Sequence, residues 1–193
     1  MINYTDKAYR QVFKYNDKIG HSYIENLETR LLHENGGYFL KTNSSGFRSD
    51  IEFKKKKGKR KRILFFGDSN TAGDGVSNSE RYSELLGEEL NCEVYNYAIS
   101  GTGTDQQYLI FENYAKKVDA DLIVIGVLVE NIQRNKARFR ETVNFYNQNK
   151  TLTPKPYFAL NNNKLKLKNV PVPRYYGNRK NIDPKYVQWV VPR

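Results

Sequence analysis

The sequence predicts an α/β protein built on a parallel, doubly wound sheet. Three apolar segments read as buried strands, at residues 63–66, 93–98 and 121–128. Helical patterns follow each of them, beginning near residues 79 and 104 and covering about 133–148. A strand–helix alternation of this kind favours parallel strands joined by right-handed crossovers. The length of 193 residues is that of one domain.

Three regions differ in character along the chain. Residues 1–62 form a β-rich lead-in that ends in a basic linker, and residues 63–150 form the α/β core. Residues 151–193 hold a hairpin and an irregular tail. The hairpin is predicted because Tyr157–Leu160 and an alternating Lys/Leu run at 164–168 flank three asparagines.

Several local patterns define the core elements more closely. Ser77 with Glu80, and Thr104 with Gln107, have the spacing of capping boxes at helix starts. The third strand is apolar throughout, so we expect it to be buried on both faces. The apolar helix positions should face the sheet, namely Tyr82, Leu85, Leu86 and Leu90, then Tyr108, Phe111, Ala115 and Val118, then Phe139, Val143 and Tyr146.

Composition excludes several classes of protein. The net charge is +11, much of it from residues 54–62, but no aromatic residues are interleaved with this run. That pattern favours a solvated linker over a nucleic-acid-binding patch. Cys92 is alone, which rules out an internal disulfide and a cysteine metal cluster. The sequence contains no cofactor motif, apolar membrane span or secretory signal, so we expect no cofactor and a cytoplasmic location.

The turn after the first strand is the strongest chemical signal. Residues 67–73 read Gly-Asp-Ser-Asn-Thr-Ala-Gly. This segment resembles the first block of the SGNH (GDSL-type) hydrolases, esterases and acyltransferases, and matches all its fixed positions. The resemblance implies a flavodoxin-like, three-layer α/β fold and a nucleophilic Ser69, with Gly67 and Asp68 in supporting roles.

Two later blocks of the family have counterparts after the second and third strands. Gly101 matches the glycine whose backbone N–H stabilises the oxyanion of the reaction. Asn131 matches the asparagine that supplies a side-chain donor, although Ile132 replaces the usual aspartate that follows. A shift of one residue would place Glu130 there instead, and Asn131 could equally cap the next helix.

The lead-in carries a further resemblance. Residues 43–48, Asn-Ser-Ser-Gly-Phe-Arg, are similar to a signature that precedes the catalytic strand in one bacterial SGNH branch, which often occurs in surface-polysaccharide gene sets. The sequence does not determine the role of this signature, and a structural hairpin against the sheet is the alternative to a functional one.

The family's fourth element, an Asp-x-x-His that supplies the base, is missing. Asp183 has the right context, but Tyr186 occupies the histidine position, and both histidines, His21 and His33, precede the serine. With only three parallel strands predicted, the chain resembles the N-terminal portion of a longer SGNH protein whose sheet is incomplete here. Recruitment of His21 or His33 as the base is the alternative.

These observations lead to a functional hypothesis. The resemblance implies an esterase or O-acyltransferase that acts on a small-molecule or glycan ester through a Ser69 acyl-enzyme. A non-catalytic SGNH-like binding module is the main alternative, and a basic nucleic-acid-binding protein is a weaker one. The sequence gives no indication of the oligomeric state.

Overall fold

The computed structural model describes residues 12–33, 36–143, 150–174 and 183–188. The strands are β1 (Phe13–Asn16), β2 (Gly20–Tyr23), β3 (Glu28–Leu31), β4 (Tyr38–Lys41), β5 (Arg62–Phe66), β6 (Glu93–Asn96), β7 (Leu122–Ile125), β8 (Phe139–Val143), β9 (Lys150–Pro154), β10 (Tyr157–Asn161), β11 (Lys164–Lys168) and β12 (Val187–Gln188). The α-helices are α1 (Ser69–Ala72), α2 (Tyr82–Glu89), α3 (Thr104–Ile110) and α4 (Asn131–Lys136).

The centre of the fold is a three-stranded parallel sheet in the order β6-β5-β7. This result confirms the predicted α/β class and the parallel pairing of the three core strands. The order is that of the first three strands of a flavodoxin-like sheet. Because all three strands run the same way, the loops that follow them meet at one edge.

In its described part, the lead-in contains two antiparallel hairpins, β1–β2 and β3–β4. Its aromatic side chains pack on the β6 side of the parallel sheet. Phe53 stacks on Tyr95, with 4.3 Å between ring centroids, and Phe47 meets the edge of Tyr97 at 4.8 Å. Burial of these large rings stabilises the packing of the lead-in against the sheet.

Helix α2 packs differently from the prediction. The capping box of Ser77 and Glu80 is present, and it begins a short 3₁₀ turn before α2. However, the predicted apolar stripe is wrong, because its members are largely exposed: Tyr82, Leu85, Leu86 and Leu90. The buried positions are the small residues Ser83 and Gly87, and a Cβ on Gly87 would collide with Val94. Small residues therefore let this helix approach β6 closely.

The N-cap of helix α3 lies one residue before the predicted cap, Thr104. The N-cap is Gly103, whose N–H donates to Gln106 Oε1 at 3.3 Å, so the box of Thr104 and Gln107 is wrong by one position. Ala115 is buried as expected, and Phe111 and Val118 pack against the core. Tyr108 is exposed instead, and Leu109 and Ile110 are buried in its place.

The segment after β7 also departs from the prediction. A helix over 133–148 is wrong, because α4 ends at Lys136 and Phe139–Val143 form β8. This strand pairs antiparallel with β9 and parallel with β12. Strand pairing with residues distant in sequence has overridden the local helical spacing. Tyr146 lies outside the described residues.

The C-terminal hairpin is confirmed. Strands β10 and β11 pair antiparallel from Tyr157↔Lys168 to Asn161↔Lys164. Asn162 and Asn163 have φ values of 48° and 58°, as the two central residues of a type I′ turn require.

The basic run is partly bound to the fold rather than a free linker. Arg62, only 1% exposed, donates hydrogen bonds to the carbonyls of residues 54–56 and of Asp119, and pairs with Glu93. Lys57 and Lys61 both form salt bridges with Asp121. The prediction of a solvated linker is therefore wrong for Arg62, whereas residues 54–61 are exposed as predicted.

Strand β7 is the least covered part of the sheet. The strand is shorter than the predicted 121–128. The prediction of burial on both faces is wrong, because Leu122, Ile123 and Ile125 are about half exposed.

Among the described residues, no helix is both long and apolar enough to cross a membrane.

Candidate functional site

Ser69 lies at the edge of the parallel sheet where a nucleophile is expected. It is the first residue of α1, three positions after the end of β5, and it is half-buried. Its hydroxyl forms no hydrogen bond to any residue that the structure describes. The nucleophile candidate is therefore open to solvent and has no described base in contact with it.

The residues just before Ser69 shape the turn. Asp68 is buried, and its Oδ1 accepts a hydrogen bond from the N–H of Asn70 at 3.0 Å, which caps α1. A Cβ on Gly67 would collide with the side chain of Thr71, so only glycine fits there. Both residues therefore shape the turn in which Ser69 lies, and their supporting roles in catalysis stay a prediction.

The loop after β6 lies directly beside this turn. The N–H of Ile99 and the hydroxyl of Thr102 donate to the carbonyl of Gly67, at 3.3 and 3.2 Å. Gly101 sits between them with a φ of +78°, a conformation that favours glycine. These hydrogen bonds join the loops that follow β5 and β6 at the carboxyl ends of the strands. We call the loops after β5, β6 and β7 the first, second and third motif loops.

Arg140 closely approaches Gly101 and was not identified from the sequence. A Cβ at position 101 would lie 2.5–2.8 Å from three atoms of the Arg140 guanidinium. The predicted helix over 133–148 hid this residue, since its approach to Gly101 depends on β8. No local signal in the sequence indicates it.

The third motif loop reaches the same place through α4. Arg134 Nη1 donates to Asp68 Oδ2 and to the carbonyl of Thr102, each at 3.1 Å. Asn131 lies one helical turn earlier on the same face. It is 1% exposed, and neither its amide nitrogen nor its amide oxygen has a hydrogen-bond partner among the described residues.

Burial distinguishes Asn131 from Glu130, the two residues that could occupy the third motif. The N-cap of α4 is Glu130, which is exposed, and Asn131 makes no capping bond. A buried amide without partners is costly unless it serves another group. The structure thus favours Asn131, rather than Glu130, as the inward-facing residue of the third loop.

The two histidines lie near the motif loops but do not hydrogen-bond to Ser69. His21 Nε2 is 2.9 Å from the Ser100 carbonyl and 3.0 Å from Arg140 Nη1. Burial, followed by the charge of Arg140, lowers the pKa of His21 to about 3. Such a histidine is a poor general base near neutral pH. The ring of His33 lies against Gly75.

The Asp183–Tyr186 segment makes other contacts. Asp183 is paired with Lys185, and Arg138 lies 3.7 Å from the centre of the Tyr186 ring.

Within the described part of the chain, no group of three or more His, Cys, Asp or Glu residues could hold a metal ion.

Comparison with known protein families agrees with this geometry. A family model described as GDSL-like Lipase/Acylhydrolase matches residues 63–184, which is more than half of the chain. Comparison with curated proteins gives no match. The match starts with β5, continues through all three motif loops and confirms the resemblance to the SGNH (GDSL-type) hydrolases. The chain therefore belongs to the GDSL-like lipase/acylhydrolase family, a family of ester hydrolases.

Proposed function

We propose that this protein is an esterase or O-acyltransferase whose Ser69 forms a covalent acyl-enzyme. The observation that carries the proposal is the convergence of three motif loops. Arg134 bonds both Asp68 and the Thr102 carbonyl, and it lies one turn from Asn131. We infer that these contacts bring Gly101 and Asn131 to the turn that holds Ser69, where they serve as oxyanion donors.

The reaction follows from these positions. Ser69 Oγ attacks the carbonyl carbon of the ester, and its proton passes through solvent water to the departing alkoxide. The alcohol then leaves as the acyl–Ser69 ester forms. The N–H groups of Ser69 and Gly101 and the amide of Asn131 stabilise the oxyanion. Water, or the hydroxyl of an acceptor, then takes the acyl group from Ser69. The lead-in signature, typical of polysaccharide gene sets, supports an acylated carbohydrate as the substrate.

Ester hydrolysis by purified protein tests the role of Ser69. We expect p-nitrophenyl acetate turnover that Ser69→Ala abolishes and that Ser79→Ala, a change at a nearby exposed serine, leaves unchanged. Turnover that survives in Ser69→Ala would refute the acyl-enzyme.

Paired variants separate the two residues that could occupy the third motif. Asn131→Ala should lower kcat by about 10²–10³-fold, the usual effect of losing one oxyanion donor. Glu130→Gln should have little effect, because Glu130 is exposed. The opposite result would shift the motif by one residue.

A non-catalytic binding module is the second candidate. The specific observation in its favour is that no described side chain accepts a hydrogen bond from Ser69. Without a base to accept its proton, a serine hydroxyl is a weak nucleophile. This candidate predicts no difference in ester turnover between the wild type and Ser69→Ala.

A further inference from the structure

The turn at residues 43–48 takes no part in the reaction steps proposed above. Asn43 Oδ1 accepts hydrogen bonds from the N–H groups of Ser45 and Phe47, at 3.0 and 3.1 Å. Gly46 has a φ of +74°, and a Cβ there would collide with the Tyr23 carbonyl. Phe47 is buried against aromatic rings of the core. The turn therefore fixes the direction in which the next residue, Arg48, enters the protein.

Arg48 is fully buried and binds residues 72–78, a segment that starts with the last residue of α1. Its guanidinium donates four hydrogen bonds of 2.7–3.1 Å, to the carbonyls of Ala72, Gly73 and Val76 and to Asn78 Oδ1. The last carbonyls of a helix lack partners within the helix. Arg48 supplies a partner for the Ala72 carbonyl at the end of α1, the helix that begins with Ser69.

The same segment is joined to the loop that holds Gly101. The N–H of Asp74 donates to the Ser69 carbonyl at 3.0 Å, and the Asp74 carboxylate accepts a hydrogen bond from the Ser100 hydroxyl. Tyr23 OH lies 2.9 Å from that hydroxyl. Asp74 keeps solvent access, while the protein packed around its carboxyl raises its pKa. Segment 72–78 thus connects Ser69 to the residue directly before Gly101.

We propose that Arg48 is a positioning residue for ester hydrolysis, holding segment 72–78 so that Ser69 and Gly101 keep one relative arrangement. This inference rests on the proposed role of Ser69. The Arg48 guanidinium donates from three separate nitrogens to four acceptors spread over residues 72–78, and the single nitrogen of a lysine ammonium does not span that set. Since a misplacement of about 1 Å can cost about 10²-fold in rate, the consequence should be measurable.

The kinetic test compares two buried arginines. Arg62 also donates to several backbone carbonyls, but it lies at the opposite end of β5 from Ser69. A fluorophosphonate that modifies Ser69 gives a maximal rate and a half-saturating concentration for each variant. We expect Arg48→Lys to lower the maximal rate by about 10–100-fold with an unchanged half-saturating concentration, and Arg62→Lys to leave both unchanged.

Two results would overturn the proposal: an unchanged maximal rate in Arg48→Lys, or an equal loss in Arg62→Lys at temperatures where both are folded. If Arg48→Lys does not fold, Asp74→Ala replaces it, since Asp74 is solvent-accessible. We then expect a loss of about tenfold in the maximal rate. An unchanged rate in Asp74→Ala would contradict the connection to Ser100.

Amide hydrogen exchange distinguishes failure of this inference from failure of the proposed function. Arg48→Lys should accelerate exchange at Gly73, Asp74 and residues 100–102, whereas Arg62→Lys should not. If the wild type does not react with the fluorophosphonate, the proposed role of Ser69 fails. Unchanged exchange at these amides in Arg48→Lys would overturn the positioning role whether or not Ser69 reacts.

Discussion

The two sides of the parallel sheet differ in how they are covered. On the β6 side, the lead-in packs aromatic rings against Tyr95 and Tyr97. Its side chains also form hydrogen bonds with the loops that hold Ser69 and Gly101. On the β7 side, apolar side chains are half exposed, and Asn131 is held in place through α4. Two of the three motif loops are therefore supported by the lead-in, and the third depends on a few polar contacts.

The largest expected effect concerns those contacts of α4. Lys155 is buried, pairs with Asp105 and donates to the carbonyls of Arg134 and Ala137. Lys155→Met should lower the free energy of unfolding by about 3–5 kcal/mol, because Asp105 stays buried without its partner. Denaturant unfolding measures this. Lys61→Met, which removes an exposed pair with Asp121, is the control and should cost less than about 1 kcal/mol. Equal losses would contradict the role of burial.

A register pair compares the covered central strand β5 with the exposed strand β7. Leu64 is 1% exposed, and its partner Ile123 on β7 is 45% exposed. Leu64→Ala should cost about 2–5 kcal/mol through the lost burial and the cavity left behind. Ile123→Ala should cost about 1 kcal/mol, since much of its side chain already contacts water. A similar cost for both, by thermal or denaturant unfolding, would show that the β7 side is covered in solution.

The buried His21 predicts a pH dependence of stability. The folded protein keeps this imidazole neutral down to a pKa of about 3, whereas the unfolded chain takes up a proton below its ordinary value of 6.5. His21 therefore contributes full stability above about pH 6.5, and this is lost as the pH falls towards 3, by about 1.4 kcal/mol per unit. Unfolding at pH 7 and pH 5 should differ by about 2 kcal/mol more in the wild type than in His21→Phe. Equal differences would contradict the burial of a neutral His21.

The smallest change in the free energy of unfolding is expected for a substitution on the exposed strand β7. Leu122→Lys should change the free energy of unfolding by no more than about 0.5 kcal/mol, because Leu122 is half exposed on β7. A loss of several kcal/mol would mean that this side chain is buried in solution.

Much of the central fold could be predicted from local patterns. Ile63–Phe66, the capping box at Ser77 and the hairpin at 157–168 each have short-range signals, and all are present. Where the prediction failed, contacts distant in sequence decided the structure. Phe139–Val143 has helical spacing but pairs with β9 and β12, and α2 faces the sheet with Ser83 and Gly87 rather than with its leucines.

In the candidate site, too, residues with a local sequence signal were predicted and residues with distant contacts were not. Ser69, Gly101 and Asn131 were identified because the family motifs place them immediately after strands. Arg134, Arg140 and Arg48 were not assigned contacts, because their partners are 24 or more residues away in sequence. No spacing rule indicates which arginine reaches which loop.

Identification of the covalently modified residue tests the central claim most directly. After treatment of the wild type with a fluorophosphonate, peptide mass spectrometry should find the phosphonyl adduct on Ser69, and Ser69→Ala should remain unmodified. An adduct on another residue, or no adduct on folded wild-type protein, would contradict Ser69 as the nucleophile.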